Sequence, residues 1–283
     1  MKYNSEWTDF EVLRTGKGEK LERWGKVTLL RPDPQVIWGD EISEKKADAH
    51  YHRSNSGGGE WKYLNKIPAE WQIGWRNLKF LVKPMGFKHT GLFPEQAVNW
   101  AMMIDLIKNA HRPISVLNLF AYTGGATVAC ASAGASVTHV DSAKNMVERC
   151  KQNANLSGLE GATIRYIVDD CFKFVEREIR RGKKYDAIIM DPPSYGRGTN
   201  GEVWKLEDNI ADFVKLCEKV LSDKPLFVLI NSYTTGLGAT AMENVLRVAL
   251  QNKKGRYESY EVGLPCKDNL ILPCGNSSVF IGE

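Results

Sequence analysis

The stretch Val116 to Asp141, VLNLFAYTGGATVACASAGASVTHVD, constrains the chain most. It reads as a buried strand over Val116–Phe120, a glycine turn over Tyr122–Gly125, a helix of small residues over Ala126–Ala133, and a second strand over Ser136–Val140 that ends on an acid. Strand, glycine turn, helix, strand and acid make the first half of a nucleotide-binding βαβ unit. Glycines allow close backbone approach to a ligand. Asp141, at the tip of the second strand, can accept both hydroxyls of a ribose. The turn is Ala-Tyr-Thr-Gly-Gly, so the dinucleotide fingerprint G-x-G-x-x-G is not met. A glycine turn alone is also compatible with an α/β fold that binds nothing.

A second stretch adds weight. Tyr185–Met190 is apolar and strand-like, and Asp191-Pro192-Pro193-Ser194-Tyr195 follows it directly. Together, FxYTGG and DPPSY resemble the class I S-adenosylmethionine (SAM) methyltransferases. More narrowly they resemble the branch containing the bacterial 23S ribosomal-RNA methyltransferases that act on cytosine C5 and on guanine. The resemblance covers about residues 85–283. It implies an α/β fold of the class I methyltransferase (Rossmann-like) type, with a seven-stranded sheet whose last strand inserts antiparallel. The order of elements agrees. Five βα units are followed by a terminal strand pair, near Tyr257–Leu264 and Leu270–Ile281, whereas a dinucleotide Rossmann domain ends on a parallel sixth strand.

Roles follow from the resemblance, residue by residue. Asn118 and the run Ala121, Tyr122, Thr123 and Gly124 would face the methionine moiety. Asp141 with the adjoining Ser142 would hold the ribose. Asp170 would accept from the adenine amino group while Cys171 donates its backbone N–H; Asp170 also suits the N-cap of a helix over Phe172–Arg181. His89, Thr90, Phe93 and Gln96, in a T-G-x-x-x-x-Q element, would line the cofactor mouth, though each alone is compatible with capping or packing. Asp191 would form the floor between cofactor and acceptor. Pro192 and Pro193 would fix the turn so that carbonyls point inward without a competing N–H, and Tyr195 would stack on a planar base.

Cytosine-C5 transfer needs a thiolate that attacks the ring. In this branch that cysteine follows the fifth strand, in a stretch aligning with Asn231–Leu237, and this chain has none there. Direct transfer to a ring nitrogen or exocyclic amine needs no covalent step. The sequence reading is therefore SAM-dependent methylation of a base in RNA, ribosomal RNA first, with nitrogen the favoured acceptor. A methyltransferase of a small planar molecule or protein side chain, and a non-catalytic SAM- or RNA-binding module, remain open.

Residues 1–85 differ in texture and are expected to form a small β-rich domain, with residues 86–283 the methyltransferase domain. Seven of eight tryptophans fall in the first 100 residues. Extended runs at Val27–Leu30 and Val36–Trp38 alternate with turn signals, and SNSGGG (Ser54–Gly59) reads as an exposed loop. Aromatics interleave with basic residues at Trp61-Lys62-Tyr63 and from Trp71 to Arg76. They suit stacking on unpaired bases or, equally, the core of a small domain. The net charge of +4 lies wholly in this part, with 16 basic and 12 acidic residues in 1–90 against 22 of each in 91–283.

The remaining composition excludes more than it proposes. The six cysteines form no CxxC pair and read as reduced core residues, and no metal is expected. His50-Tyr51-His52 reads as part of a solvated loop. No apolar run nears the roughly 20 residues of a membrane span. The N-terminal stretch lacks the apolar segment of a signal peptide, so a cytoplasmic location without membrane attachment is expected.

Overall fold

The structure is a computed structural model that describes residues 1–54, 58–197 and 203–283. By contacts the chain forms two units, one of Lys2–Val98 with Gly263–Cys274, the other of Met1, Asn99–Val262 and Gly275–Glu283.

The smaller unit is strand-rich. Its elements are β1 (Phe10–Gly16), β2 (Glu19–Trp24), β3 (Val27–Pro32), a 3-10 turn (Glu44–Lys46), β4 (Ala49–Arg53), β5 (Gly59–Tyr63), β6 (Trp71–Trp75) and β7 (Leu78–Val82). Five strands form a sheet in sequence order, β1 to β5, and β6 pairs with β7 separately. Two expectations fail here. Val36–Trp38 is not a strand; its carbonyls instead accept from the turn between β1 and β2, Lys17 N–H to Trp38 and Gly18 N–H to Val36, both at 2.8 Å. His50-Tyr51-His52 is not a solvated loop; it lies in the paired strand β4, with His50 buried. Residues 55–57 of the expected SNSGGG loop lie outside the described residues, and Gly59 already belongs to β5.

The expected boundary near residue 85 also differs from the contact division at Val98/Asn99. The intervening stretch is tied to the smaller unit. Trp61 Nε1 donates to the Met85 carbonyl at 2.8 Å, Arg31 Nη1 to that of Lys88 at 2.8 Å, and Trp7 Nε1 to that of Pro94 at 3.0 Å.

The tryptophans explain themselves by such bonds. The N–H groups of Trp24, Trp38, Trp71 and Trp75 donate to Glu22, Thr15, the Trp24 carbonyl and Asn4. Arg76 lies 4.6 Å from the centroid of Trp75 and pairs with Glu6 at 2.8 Å, while Lys62 pairs with Glu44 at 2.7 Å. These bonds and ion pairs give the interleaved aromatic and basic residues partners within the unit.

The larger unit continues with α1 (Ala97–Asn109), β8 (Ser115–Leu119), α2 (Gly125–Ser132), β9 (Ser136–Asp141), α3 (Lys144–Leu156), β10 (Ile164–Val168), α4 (Cys171–Arg180) and β11 (Ala187–Met190). A hairpin, β12 (Tyr195–Arg197) with β13 (Val203–Lys205), precedes α5 (Leu206–Glu218), β14 (Phe227–Ser232), α6 (Ala239–Ala249), β15 (Gly255–Pro265) and β16 (Ile271–Gly282). The main sheet runs β10-β9-β8-β11-β14-β16-β15, with β16 antiparallel to β14. This is the seven-stranded order that the resemblance implies. Apolar residues at helical spacing, Trp100, Met103, Ile104 and Ile107, are buried as their period requires. On α5, Ile210, Phe213, Val214 and Cys217 join Phe174, Ile188, Ile230 and Phe280 in the principal core cluster.

One buried charge group anchors the smaller unit. Glu22, with its side chain fully buried, receives Arg31 through two bonds of 2.7 and 2.9 Å, with Lys20 at 3.5 Å and the Trp24 indole N–H at 3.2 Å. Burial opposes its charge, but Arg31 and Lys20 overcome this and hold the carboxyl down at about 2, against an ordinary 4.5. Its contribution is then complete above about pH 4.5 and is lost as pH falls through about 2. Glu22→Gln leaves Arg31 buried against a neutral partner. It should destabilise the fold by about 3–5 kcal/mol in urea denaturation at pH 7, with a smaller difference from wild type at pH 3.

Candidate active site

The two turns singled out in the sequence lie at the carboxyl edges of adjacent parallel strands. In the register of β8 with β11, Leu119 is opposite Met190, and the Asp191 N–H reaches the Leu119 carbonyl at 3.4 Å. The turn after β8 is tightly wound. Phe120, Tyr122 and Gly124 have φ of 52°, 50° and 83°. Two of these are non-glycine residues in the left-handed region, which is unfavourable unless surrounding bonds enforce it. Those bonds are present. Asp141 accepts the Tyr122 N–H at 2.8 Å and the Ala143 N–H at 2.9 Å. Ala121 N–H bonds the Val140 carbonyl at 3.1 Å, and Phe120 N–H meets the Cys171 sulfur at 3.3 Å.

The glycines of the turn serve packing. A Cβ on Gly124 would fall within the Cys150 side chain of α3, and one on Gly125 would come within 2.6 Å of the Trp100 ring. Helix α2 can therefore start close against both α1 and α3. Its first-turn N–H groups have no helical acceptors and carry partial positive charge.

Asn118 is buried, and its amide donates to Thr127 Oγ1 at 2.9 Å; Thr127 also meets His139 Nδ1 at 2.9 Å. Burial keeps that histidine neutral, with its pKa down at about 3. Thr123 is buried, Tyr122 half-buried, and Ser142 exposed beside Asp141. The Asp141 carboxyl titrates above its ordinary value because burial outweighs its two backbone donors.

At the tip of β10, Asp170 caps α4, its carboxylate accepting the Lys173 N–H at 3.0 Å. Asp169 pairs with Arg177 and accepts the Asp170 N–H at 2.9 Å. Cys171 is buried and held as the neutral thiol by that burial.

After β11, Pro192 is buried and Pro193 exposed. At Pro193 the carbonyl expected to point inward without a competing N–H does have a donor. It accepts the Trp204 indole N–H at 2.6 Å. Beyond the turn, Tyr195–Arg197 pairs antiparallel with Val203–Lys205 as β12 and β13; residues 198–202 lie outside the described residues. Trp204 on that hairpin packs against Phe120, Phe172 and Phe213, with centroids 5.7, 5.6 and 6.1 Å apart. Ser194 accepts from the Thr234 hydroxyl at 2.7 Å, and Tyr195 is 52% exposed. Trp204 and Thr234 were missed in the sequence; a lone tryptophan between a glycine-rich run and a helix was the available signal.

Asn231, at the end of β14, belongs to a buried polar cluster. Ser277 Oγ and Asn99 Nδ2 both donate to its Oδ1, at 2.8 and 3.2 Å, and Tyr260 donates to Asn99 at 2.6 Å. Cys130, Cys150, Cys171 and Cys217 are all buried in this unit, each with a thiol that burial pushes up.

The remaining expected residues belong to the smaller unit. His89 and Phe93 meet edge to face at 5.5 Å, Thr90 and Gln96 are buried, and Thr90 donates to the Leu92 carbonyl at 3.4 Å. Burial, with Arg31, Lys88 and Lys20 nearby, lowers the His89 pKa to about 4, so the ring is neutral near pH 7.

Residues 19–249 match the sequence pattern of the S-adenosylmethionine-dependent methyltransferases. The chain belongs to this family. A solved SAM-dependent methyltransferase from Agrobacterium tumefaciens is 35% identical and superposes with a TM-score of 0.92, over 99% of this chain and 92% of that one. The ribosomal RNA large subunit methyltransferase K/L of Shewanella frigidimarina is 33% identical over 212 residues, 74% of this chain and 28% of that protein. The ribosomal RNA large subunit methyltransferase I of Klebsiella pneumoniae is 32% identical over 129 residues, 45% of this chain and 31% of that protein. The matched region thus spans less than a third of either relative.

For a methyltransferase of this class the turn after β8 must keep its shape. Gly124→Ala places a Cβ into Cys150 at a left-handed residue. Gly158→Ala, at φ 71° with open space around it, meets only the backbone term. Denaturant unfolding should show a loss of about 1–2 kcal/mol for Gly158→Ala and at least about 1 kcal/mol more for Gly124→Ala.

Proposed function

We propose that this methyltransferase transfers the methyl group of SAM to a base in RNA, ribosomal RNA first among the candidates. The observation that carries the reading is the pairing of two turns on neighbouring strands, the acid-braced turn after β8 and the DPPSY turn after β11, with Asp191 N–H on the Leu119 carbonyl. The RNA substrate class is supported by what the two ribosomal-RNA methyltransferase relatives are named for, and by the basic excess of residues 1–90.

The donor set fits the cofactor. Each Asp141 oxygen takes one backbone N–H, and a carboxylate oxygen has a further lone pair for a ribose hydroxyl. The N-terminal turn of α2 suits a carboxylate, and Asp170 stands at the neighbouring strand tip. SAM supplies a methyl group already activated on a sulfonium, so the protein need not create an electrophile. The work left to this chain is positioning and exclusion of water. Asp191 would accept from an acceptor amine, and Tyr195 would hold the base plane by stacking. Trp204 braces Pro193 from behind, and the Ser194–Thr234 bond fixes the next residue, so the DPPSY turn is supported on both sides.

Direct transfer to nitrogen is favoured over a covalent route. Every cysteine of the larger unit is buried as a neutral thiol, and none lies in 191–195 or 231–237. That arrangement matches a reaction in which the acceptor's own lone pair attacks the methyl group.

Four measurements test the reading. Asp141→Ala should weaken SAM binding about 10- to 100-fold by calorimetry, since charge-assisted hydrogen bonds contribute about 1.5–3 kcal/mol. Asp191→Ala should retain binding yet lower turnover on ribosomal RNA about 100-fold. RNA carrying 5-fluorocytosine should give no protein–RNA adduct on denaturing gels; a cysteine-dependent adduct would restore the C5 route. Nucleoside mass spectrometry of RNA from cells with and without the gene would identify the methylated base. Absence of any RNA difference, with methylation of a small molecule or protein instead, would overturn the substrate class.

A further inference from the structure

We infer that Glu44, His50 and His52 form a binding site for one divalent transition-metal ion of zinc-like preference, with a coordination position left open. The site lies wholly within the smaller unit and is independent of the methyl-transfer reading. His50 and His52 are two residues apart on β4, so their side chains share one face of the strand. The 3-10 turn just before the strand brings Glu44 onto that face. One candidate ligand atom from each of the three lies within 4.8 Å of the others. Glu44 Oε2 is 3.4 Å from His50 Nδ1 and 3.8 Å from His52 Nε2. A tetrahedral zinc ion with bonds near 2.0–2.1 Å holds its ligand atoms about 3.3 Å apart. The two Glu44 distances are within about half an ångström of that spacing, and the histidine nitrogens lie within 4.8 Å of each other, so a modest side-chain adjustment would seat an ion.

The surroundings fit a metal as well as the ligands do. His50 Nε2 stands 2.6 Å from Glu19 Oε1, on β2. A carboxylate on the far nitrogen is the usual outer partner of a metal-bound histidine; it fixes the tautomer and raises the basicity of the ligating nitrogen. With the Nε2 proton given to Glu19, Nδ1 presents a lone pair to the Glu44 carboxylate. Two acceptors facing each other need a cation between them, either a second imidazole proton or a metal ion. Lys62 occupies the other Glu44 oxygen, Oε1, at 2.7 Å and leaves Oε2 for the ion. The His50 side chain is 11% exposed and that of His52 46%, so the group is anchored on one side and open to solvent on the other. Three protein ligands leave the fourth tetrahedral position to water or a ligand atom.

The test uses the whole chain, free of any affinity tag, stripped with a chelator and exchanged into chelator-free buffer at pH 7.5. Zinc chloride is titrated in competition with a chromophoric zinc chelator. One equivalent of zinc should bind with Kd below about 10 μM. Glu44→Gln and His52→Ala should each weaken binding more than tenfold, and Glu19→Gln, which keeps all three ligands, about 10- to 100-fold. Zinc should raise the melting temperature of wild type but not of Glu44→Gln. Circular dichroism without zinc checks that the variants are folded, and His52, being exposed, supplies a substitution that the fold tolerates. Binding weaker than about 10 μM in wild type, or undiminished binding in both Glu44→Gln and His52→Ala, would overturn the site and leave a proton as the cation between His50 and Glu44.

Discussion

The Asp141 carboxylate is the constraint on which the larger unit turns. Holding Phe120 and Tyr122 in the left-handed region costs about 1–2 kcal/mol each, and Asp141 offsets part of this by accepting the Tyr122 N–H, alongside the Val140 carbonyl and the Cys171 sulfur. One oxygen receives Tyr122 and the other Ala143, so a single side chain at the tip of β9 shapes the turn after β8 and the entry to α3. The same carboxylate is the group assigned to the ribose. Under the proposed assignment, structural bracing and ribose recognition would share one carboxylate, so a change at Asp141 would alter both.

A second layer of support comes from aromatic packing. Phe120 is pinned by its unusual backbone, and its ring meets Trp204 and Phe213. Trp204 in turn holds the Pro193 carbonyl. The turn after β8 and the turn after β11 are thus coupled twice, once through the backbone and once through side chains. Such coupling limits independent movement of the two turns and suits a reaction that depends on alignment.

The order of the larger unit could be read from the sequence because its signals are local and periodic. Strands such as Val116–Phe120 are continuous apolar runs, and α5 repeats its apolar residues every three or four positions. Long-range roles were harder to read. Glycines in the Gly124-Gly125 turn suggested close backbone approach to a ligand; that they also make room for Cys150 and Trp100, residues from two other helices, was not legible. The Pro193 carbonyl found its donor eleven residues on, across a hairpin that composition alone showed as a loop. In the smaller unit, tryptophans that could have met RNA bases donate their N–H groups within the unit. His50 and His52 looked like loop residues because the strands that flank β4, and Glu19 beside His50, come from outside the local sequence. Asp170 was legible as the cap of α4, since an acid before a helix caps it whether or not a ligand is near.

The last hairpin, β15 with β16, has a consequence for the order in which the molecule can assemble. Its distal part, Gly263–Cys274, belongs to the smaller unit, where Gly263 N–H bonds the Lys2 carbonyl and Lys267 N–H that of Val12. The amino-terminal residues of this unit emerge from the ribosome long before these partners exist. The smaller unit can form its own sheet early, but those contacts stay open until residues 99–262 have been made. The smaller unit is therefore completed only after residues 99–262 of the larger unit have been made, which ties its maturation to translation of most of that unit.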